Sequence, residues 1–134
     1  MKAKLKSLIL ITLALSLAMV SCDTPEKRYE RARTLYEEGT ELRSQRLSEE
    51  AAERFLQALN ILGKGAIDEK TVLLEGQLKD NLGAMYNKHG LFEDALTMHR
   101  EAIVCFRQVN DSVEVMTAMR NCGRVAKSDR KSVV

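Results

Sequence analysis

Apolar residues from position 29 onward recur every three or four positions, the period of one face of an α-helix. The clearest example carries Leu74 and Leu78 on one face and has Asp68 placed to cap its start. Ser48 and Asp111 are placed to cap the starts of two further helices. The pattern predicts five helices, arranged as two antiparallel hairpins followed by a single helix.

Composition favours the same fold class. The 134 residues include seven glycines, one proline, three tyrosines, three phenylalanines and no tryptophan. So few aromatic residues are unusual for a β-sandwich or a β-barrel, and so few glycines and prolines are unusual for a disordered chain. The chain length suits one small domain. We therefore expect an all-α fold in which antiparallel helical hairpins stack as a short solenoid.

The first 21 residues have the pattern of a targeting segment. Lys2, Lys4 and Lys6 give a basic start, and the segment from Leu8 to Val20 contains no charged residue. These thirteen positions suit the apolar region of a signal peptide but fall short of the roughly twenty needed to span a bilayer. A signal peptide over residues 1–21 is the prediction. An ordinary secretory signal and an uncleaved helix are the alternatives.

The end of this segment, Met19-Val20-Ser21-Cys22, resembles the bacterial lipoprotein lipobox. Met19 stands where that motif usually has leucine. The resemblance implies cleavage before Cys22, lipidation of Cys22 and a short tether over residues 22–24. It also implies a lipid-anchored, extracytoplasmic protein in the bacterial cell envelope, at either the inner or the outer membrane.

Cleavage at this point would change the charge of the protein. The complete chain has 21 basic and 19 acidic residues, a net charge of +2. Loss of the three leader lysines leaves 18 basic residues against 19 acidic ones, a net charge of −1. No global basic excess then remains to favour nucleic acid as a partner.

A spaced motif recurs in the rest of the chain and is similar to the tetratricopeptide repeat (TPR). The best copy begins at Leu82-Gly83, a weaker copy lies 44 residues earlier, and the start of a third lies 40 residues later. These spacings exceed the usual repeat of about 34 residues and resemble TPR variants with longer helices. The motif residues are Gly39, Ala51, Phe55 and Ala58, then Leu82, Gly83, Tyr86, Gly90, Phe92, Ala95 and Ala102, and finally Gly123.

Three positions depart from the motif. Glu38 replaces the expected leucine, Arg46 replaces the turn glycine, and His99 replaces an aromatic ring. The resemblance covers a domain of about two and a half repeats over residues 25–127, which leaves residues 128–134 as a tail.

The TPR resemblance implies binding to another protein rather than catalysis. Such arrays present the first helix of each hairpin to a peptide or helix of the partner. The groove positions implied here are Asn81, Met85, Lys88, Arg120, Asn121 and Arg124. Their amides and cations would suit an extended segment that carries carboxylates.

The remaining candidate chemistry points away from an enzyme, a metal or a cofactor. Cys105 and Cys122 would be offset by about 9 Å along antiparallel helices, which is too far for a disulfide, so both are expected as buried thiols. His89 and His99 lack a third metal ligand at a suitable spacing, and His99 is expected to pack in the core or the groove. The chain has neither a phosphate loop nor a nucleophile elbow.

The incomplete third copy leaves one face of the fifth helix without a cover. That face is expected to form a homodimer, to dock on a partner, or to continue into a longer protein. Two functions remain open. One is a membrane-tethered scaffold or adaptor module, and the other is an extracytoplasmic input domain, or amino-terminal fragment, of a larger signalling protein.

Overall fold

The computed structural model describes residues 23–63 and 68–133, and within these ranges every regular element is an α-helix. The predicted leader over residues 1–21 and the predicted lipidation site Cys22 lie outside the described residues. No helix in the described ranges is both long enough and apolar enough to cross a membrane. The helices are α1 (Pro25–Ser44), α2 (Ser48–Leu62), α3 (Glu69–Lys88), α4 (Phe92–Gln108) and α5 (Ser112–Ser132).

Consecutive helices run antiparallel and form hairpins. Along α3, Gly76 lies against Phe106 and Gly83 lies against His99, so the contacts on α4 move backward as those on α3 move forward. The hairpin of α1 and α2 packs through α2 on α3, and α5 packs on α4. The predicted all-α architecture of stacked antiparallel hairpins is confirmed.

The three turns that the structure describes have the same geometry. Arg46, Gly90 and Asn110 each have a positive φ, of 67°, 78° and 57°. In each turn the next residue donates its backbone N–H to a carbonyl five residues back, as from Leu91 to Tyr86 at 2.9 Å. This is the bond that closes a helix in the Schellman motif. Gly90 is the turn glycine that the motif predicted, and Arg46 adopts the same backbone conformation without being glycine.

Among the described helices, side-chain caps occur on α1, α3 and α5 and are absent from α2 and α4. Thr24, Asp68 and Asp111 each accept the backbone N–H of the residue three positions later. The predicted starts at Asp68 and Asp111 are confirmed. The predicted cap at Ser48 is wrong, because the preceding Leu47 is the N-cap residue and makes no side-chain cap bond. The closing bond of the turn already fixes Leu47 at this place.

The hydrophobic core forms two clusters that meet at α3. The first cluster joins α1 and α2 to one side of α3, and the second joins α4 and α5, with Leu73 of α3 packed against it. Phe55 and Phe106 are the largest buried side chains of the two clusters. The helix at the centre of the sequence is therefore also the central helix of the packing.

Helix α5 continues beyond the predicted end of the repeat region at Lys127. It runs through Ser132, so most of the predicted tail over residues 128–134 is helical. The segment after Gly123 contains neither glycine nor proline, and Val125 is fully buried. Cations in the last turn also complement the helix dipole. Nothing in the local sequence therefore stops the helix at Lys127.

Candidate binding groove

The first helices of the two hairpins, α1 and α3, lie in a row with the single helix α5, and α3 contacts both neighbours. Polar side chains bridge the two junctions. The Arg43 guanidinium of α1 donates to the side-chain oxygen of Asn81. On the other side, the Asn121 amide of α5 donates to the two carboxylate oxygens of Asp80 at 3.0 and 3.2 Å. These bridges create a polar strip that crosses three helices.

Asp80 is the centre of the strip at the junction of α3, α4 and α5. One of its carboxylate oxygens lies 2.7 Å from Nδ1 of His99, while the Asn121 amide approaches from α5. His99 is only 1% exposed, and its ring lies directly over Gly83, where a side chain would collide with it. The expected packing role of His99 is confirmed, and Asp80 satisfies its buried nitrogen.

The six predicted groove residues have different environments. Asn81 and Asn121 are half-buried and bind other side chains of the protein, as described above. The exposed Lys88 donates its ammonium to the Ser48 hydroxyl at 2.9 Å and so links α3 to α2. Arg120 and Arg124 are exposed and form no ion pair with any described residue.

Met85 cannot serve as a groove side chain, and its prediction as one is wrong. It is 4% exposed and belongs to the core cluster that joins α1, α2 and α3. Its position follows from the helical period, because Met85 lies seven residues after Leu78 and three after Leu82, both of which are fully buried.

Sequence reasoning missed Arg43 and Asp80. Asp80 lies three residues before Gly83, on the side of α3 that faces α4 and its histidine. An acidic residue three positions before the motif glycine therefore indicates a partner for the histidine that packs on that glycine. Arg43 reaches a residue 38 positions away along the chain, and no local pattern indicates such a contact.

The opposite side of the α3 and α4 hairpin carries a second polar cluster. The Lys79 ammonium contacts Glu75 at 2.6 Å and Glu101 at 3.0 Å. Burial disfavours the charge of Lys79, but the hydrogen bonds to the two carboxylates outweigh this effect and raise its pKa. Lys79 is therefore held charged as part of a structural network between the helices.

Both described cysteines are free thiols, with Cys105 buried and Cys122 half-buried. Burial is the main cause that raises the pKa of each thiol, and the Glu75 carboxylate raises that of Cys105 further. A nucleophilic cysteine requires a lowered pKa, so these surroundings favour the unreactive thiol form.

The function of the polar strip has to be inferred without a metal site among the described residues and without a known relative. In the described ranges, no group of three or more His, Cys, Asp or Glu side chains is arranged to hold a metal ion. The assignment of the strip therefore rests on its own contacts and charges. Comparison of the chain with protein-family models, with curated proteins and with solved structures finds no match.

Proposed function

We propose that this protein is a membrane-tethered, non-catalytic interaction module of the TPR type, which binds a segment of another protein across α1, α3 and α5. The observation that supports it is the polar strip across these helices, bridged from Arg43 to Asn81 and from Asp80 to Asn121. A surface ordered by side-chain contacts loses little conformational freedom when a partner binds.

The charge of the strip favours a partner segment that bears carboxylates. Both asparagine side chains already bind within the protein, whereas Arg120 and Arg124 expose guanidinium groups one helical turn apart on α5. A guanidinium can bind a carboxylate through two parallel hydrogen bonds. Exposed ion pairs are individually weak, so an extended segment with several carboxylates would bind better than a single one.

A selection experiment tests this proposal. Peptides selected from a random display library against the full chain should be rich in Asp and Glu. Charge reversal by Arg124→Glu should then weaken their binding by about tenfold, because it removes one charge-assisted contact and adds repulsion between like charges. The matched control is Arg107→Glu, which reverses an exposed arginine on α4. Selected peptides without an acidic bias, or equal losses in both variants, would contradict the proposal.

The membrane tether is the sequence-based part of the proposal, because the lipobox and Cys22 lie outside the described residues. The intact mass of the native protein, extracted from the membrane fraction, tests it directly. A mass equal to that of residues 22–134 plus a lipid supports the tether. The mass of an unlipidated precursor would contradict it.

A second candidate function is an extracytoplasmic input domain, or amino-terminal fragment, of a larger signalling protein. The exposed apolar side chains of Met116 and Met119 on α5 favour it, because they are what the next helix of an array would bury. The same measurement separates the two candidates. A native mass far above that of the 134-residue chain would support the larger protein.

A further inference from the structure

Two helical glycines of the repeat motif each lie beneath a ring of the following helix. Phe55 covers Gly39 and His99 covers Gly83, and in both pairs the ring comes 16 residues after the glycine. A Cβ at Gly39 would lie 2.5 Å from the Phe55 ring, and one at Gly83 would lie 2.8 Å from the His99 ring. Close approach of the helices therefore depends on both glycines.

The third glycine of the repeat motif has no ring packed over it. Gly123 lies 40 residues after Gly83, and nothing lies within 4 Å of the place where its Cβ would stand. Earlier in α5, the side chains of Val113, Met116 and Met119 are 73%, 61% and 53% exposed. We call this surface of α5 the end face, and its residues are Val113, Met116, Met119, Gly123 and Ala126.

We propose that the end face binds an amphipathic helix of another protein, antiparallel to α5, with an aromatic or imidazole ring over Gly123. The proposal follows from how the same place is filled twice within this chain. Ala51 and Ala58 flank Phe55 at four residues before and three after, and all three side chains are fully buried. The incoming helix is therefore expected to carry a small residue on each side of its ring at these spacings.

His99 has the same flanks in α4. Ala95 precedes it by four residues and Ala102 follows it by three, and both are fully buried. Phenylalanine and histidine thus hold equivalent positions over a glycine and between two small residues. The feature that the two side chains share is a planar ring.

The charges at the end of α5 also indicate what kind of helix binds the end face. Helices α2 and α4 begin with acidic first turns, whereas the last turn of α5 carries Arg130 and Lys131. In an antiparallel arrangement, the first turn of the incoming helix lies beside the last turns of α5. An acidic first turn would therefore complement these exposed cations.

A second copy of this chain fits the end face less well. Among the described helices, the small–ring–small spacing occurs in α1, as Ala32, Tyr36 and Gly39, and again in α2 and α4. Each of these rings already packs within its own hairpin, Tyr36 against the first core cluster and the other two over glycines. Two copies of α5 would bring Met116 and Met119 against each other without a ring to fill the space over Gly123. A helix from a different protein therefore fits the end face better than a second copy does.

The probe for this proposal is a synthetic peptide with the sequence of residues 47–63. It contains the acidic first turn and the alanines that flank Phe55. The full chain, held in mild detergent, should bind it in a fluorescence anisotropy titration. A matched peptide with Phe55→Ala should bind about tenfold more weakly, because it cannot fill the space over Gly123.

Variants of the chain locate the binding site. Gly123→Leu fills the space over position 123 without a clash in the free protein, because no other atom lies near it. It should weaken peptide binding by about tenfold, whereas Lys27→Leu on the exposed surface of α1, in the first hairpin, should not change it. Absence of peptide binding, or binding unaffected by Gly123→Leu, would overturn the proposal.

Light scattering on the same samples tests the second-copy alternative. A dimer that Gly123→Leu dissociates would show that the end face binds itself, and would also overturn the proposal. The groove proposal is separable from this one, because Gly123→Leu changes no charge and should leave binding of the acidic peptides selected for the groove unchanged.

Discussion

Gly39 and Gly123 hold equivalent places in two helices but have opposite surroundings. Gly39 lies beneath the Phe55 ring in the core, whereas the side of Gly123 where a Cβ would stand is open. In a helix, glycine is less favourable than alanine because its backbone loses more conformational freedom on folding. Only the packing at Gly39 compensates for that cost, so the two positions should respond to the same substitution in opposite directions.

Gly39→Ala should lower the free energy of unfolding by about 1–3 kcal/mol, the usual effect of forcing extra volume into a packed core. Gly123→Ala should raise it by about 0.5–1 kcal/mol through helix propensity. Urea denaturation of the full chain followed by circular dichroism measures both. A destabilising Gly123→Ala would show that its surroundings are not open in solution.

At the scale of residues, the sequence predicted the motif glycines more accurately than the groove residues. The repeat motif marked Gly39, Gly83 and Gly123 because its spacing is a local pattern along the chain. Met85 was misassigned because family positions were given priority over the helical period that buries it with Leu78. Asp80 was missed because its role depends on contacts with two other helices.

At the scale of elements, the turns end their helices through the same backbone conformation with three different residue types. A positive φ costs a residue with a side chain about 1–2 kcal/mol relative to glycine, with asparagine among the better tolerated. Gly90 avoids this cost, Asn110 reduces it, and Arg46 bears it in full. The first hairpin therefore has the least favourable turn of the three.

Arg46→Gly should raise the free energy of unfolding by about 1 kcal/mol, because glycine adopts the required φ without strain. The reciprocal change, Gly90→Arg, should lower it by a similar amount, since no atom lies near enough to clash with the new Cβ. Thermal denaturation of the two variants provides the measurement. The prediction fails if Arg46→Gly is neutral or destabilising.

The helices themselves were predictable because each carries an apolar face with the helical period. Their ends were less so. Ser48 and its following glutamates match a cap pattern, yet the backbone bond from Leu47 to Leu42 closes the turn one residue earlier. The end of α5 was placed too early because the repeat motif, rather than any helix-stopping residue, had set the limit at Lys127.

At the scale of the whole molecule, α3 holds the two hydrophobic clusters together. Leu78 and Leu82 are fully buried in the first cluster, while Leu73 packs against the second. In stacked helical repeats each unit contacts only its neighbours, so stability falls toward units with a single neighbour. Helix α5 packs mainly on α4 and exposes its end face, whereas α3 is covered on several sides.

Amide hydrogen exchange should show this gradient of stability. Amides of α3 should open only through global unfolding, whereas those in the last turns of α5 should exchange through local fraying. Leu78→Ala should lower protection by about 2–5 kcal/mol at every amide that opens only through global unfolding, because it removes a core side chain shared by two hairpins. Val125→Ala also truncates a fully buried side chain, but it should lower protection mainly within α5. If Val125→Ala lowered protection in α1 as much as in α5, the molecule would unfold as one unit, and α3 would have no special role.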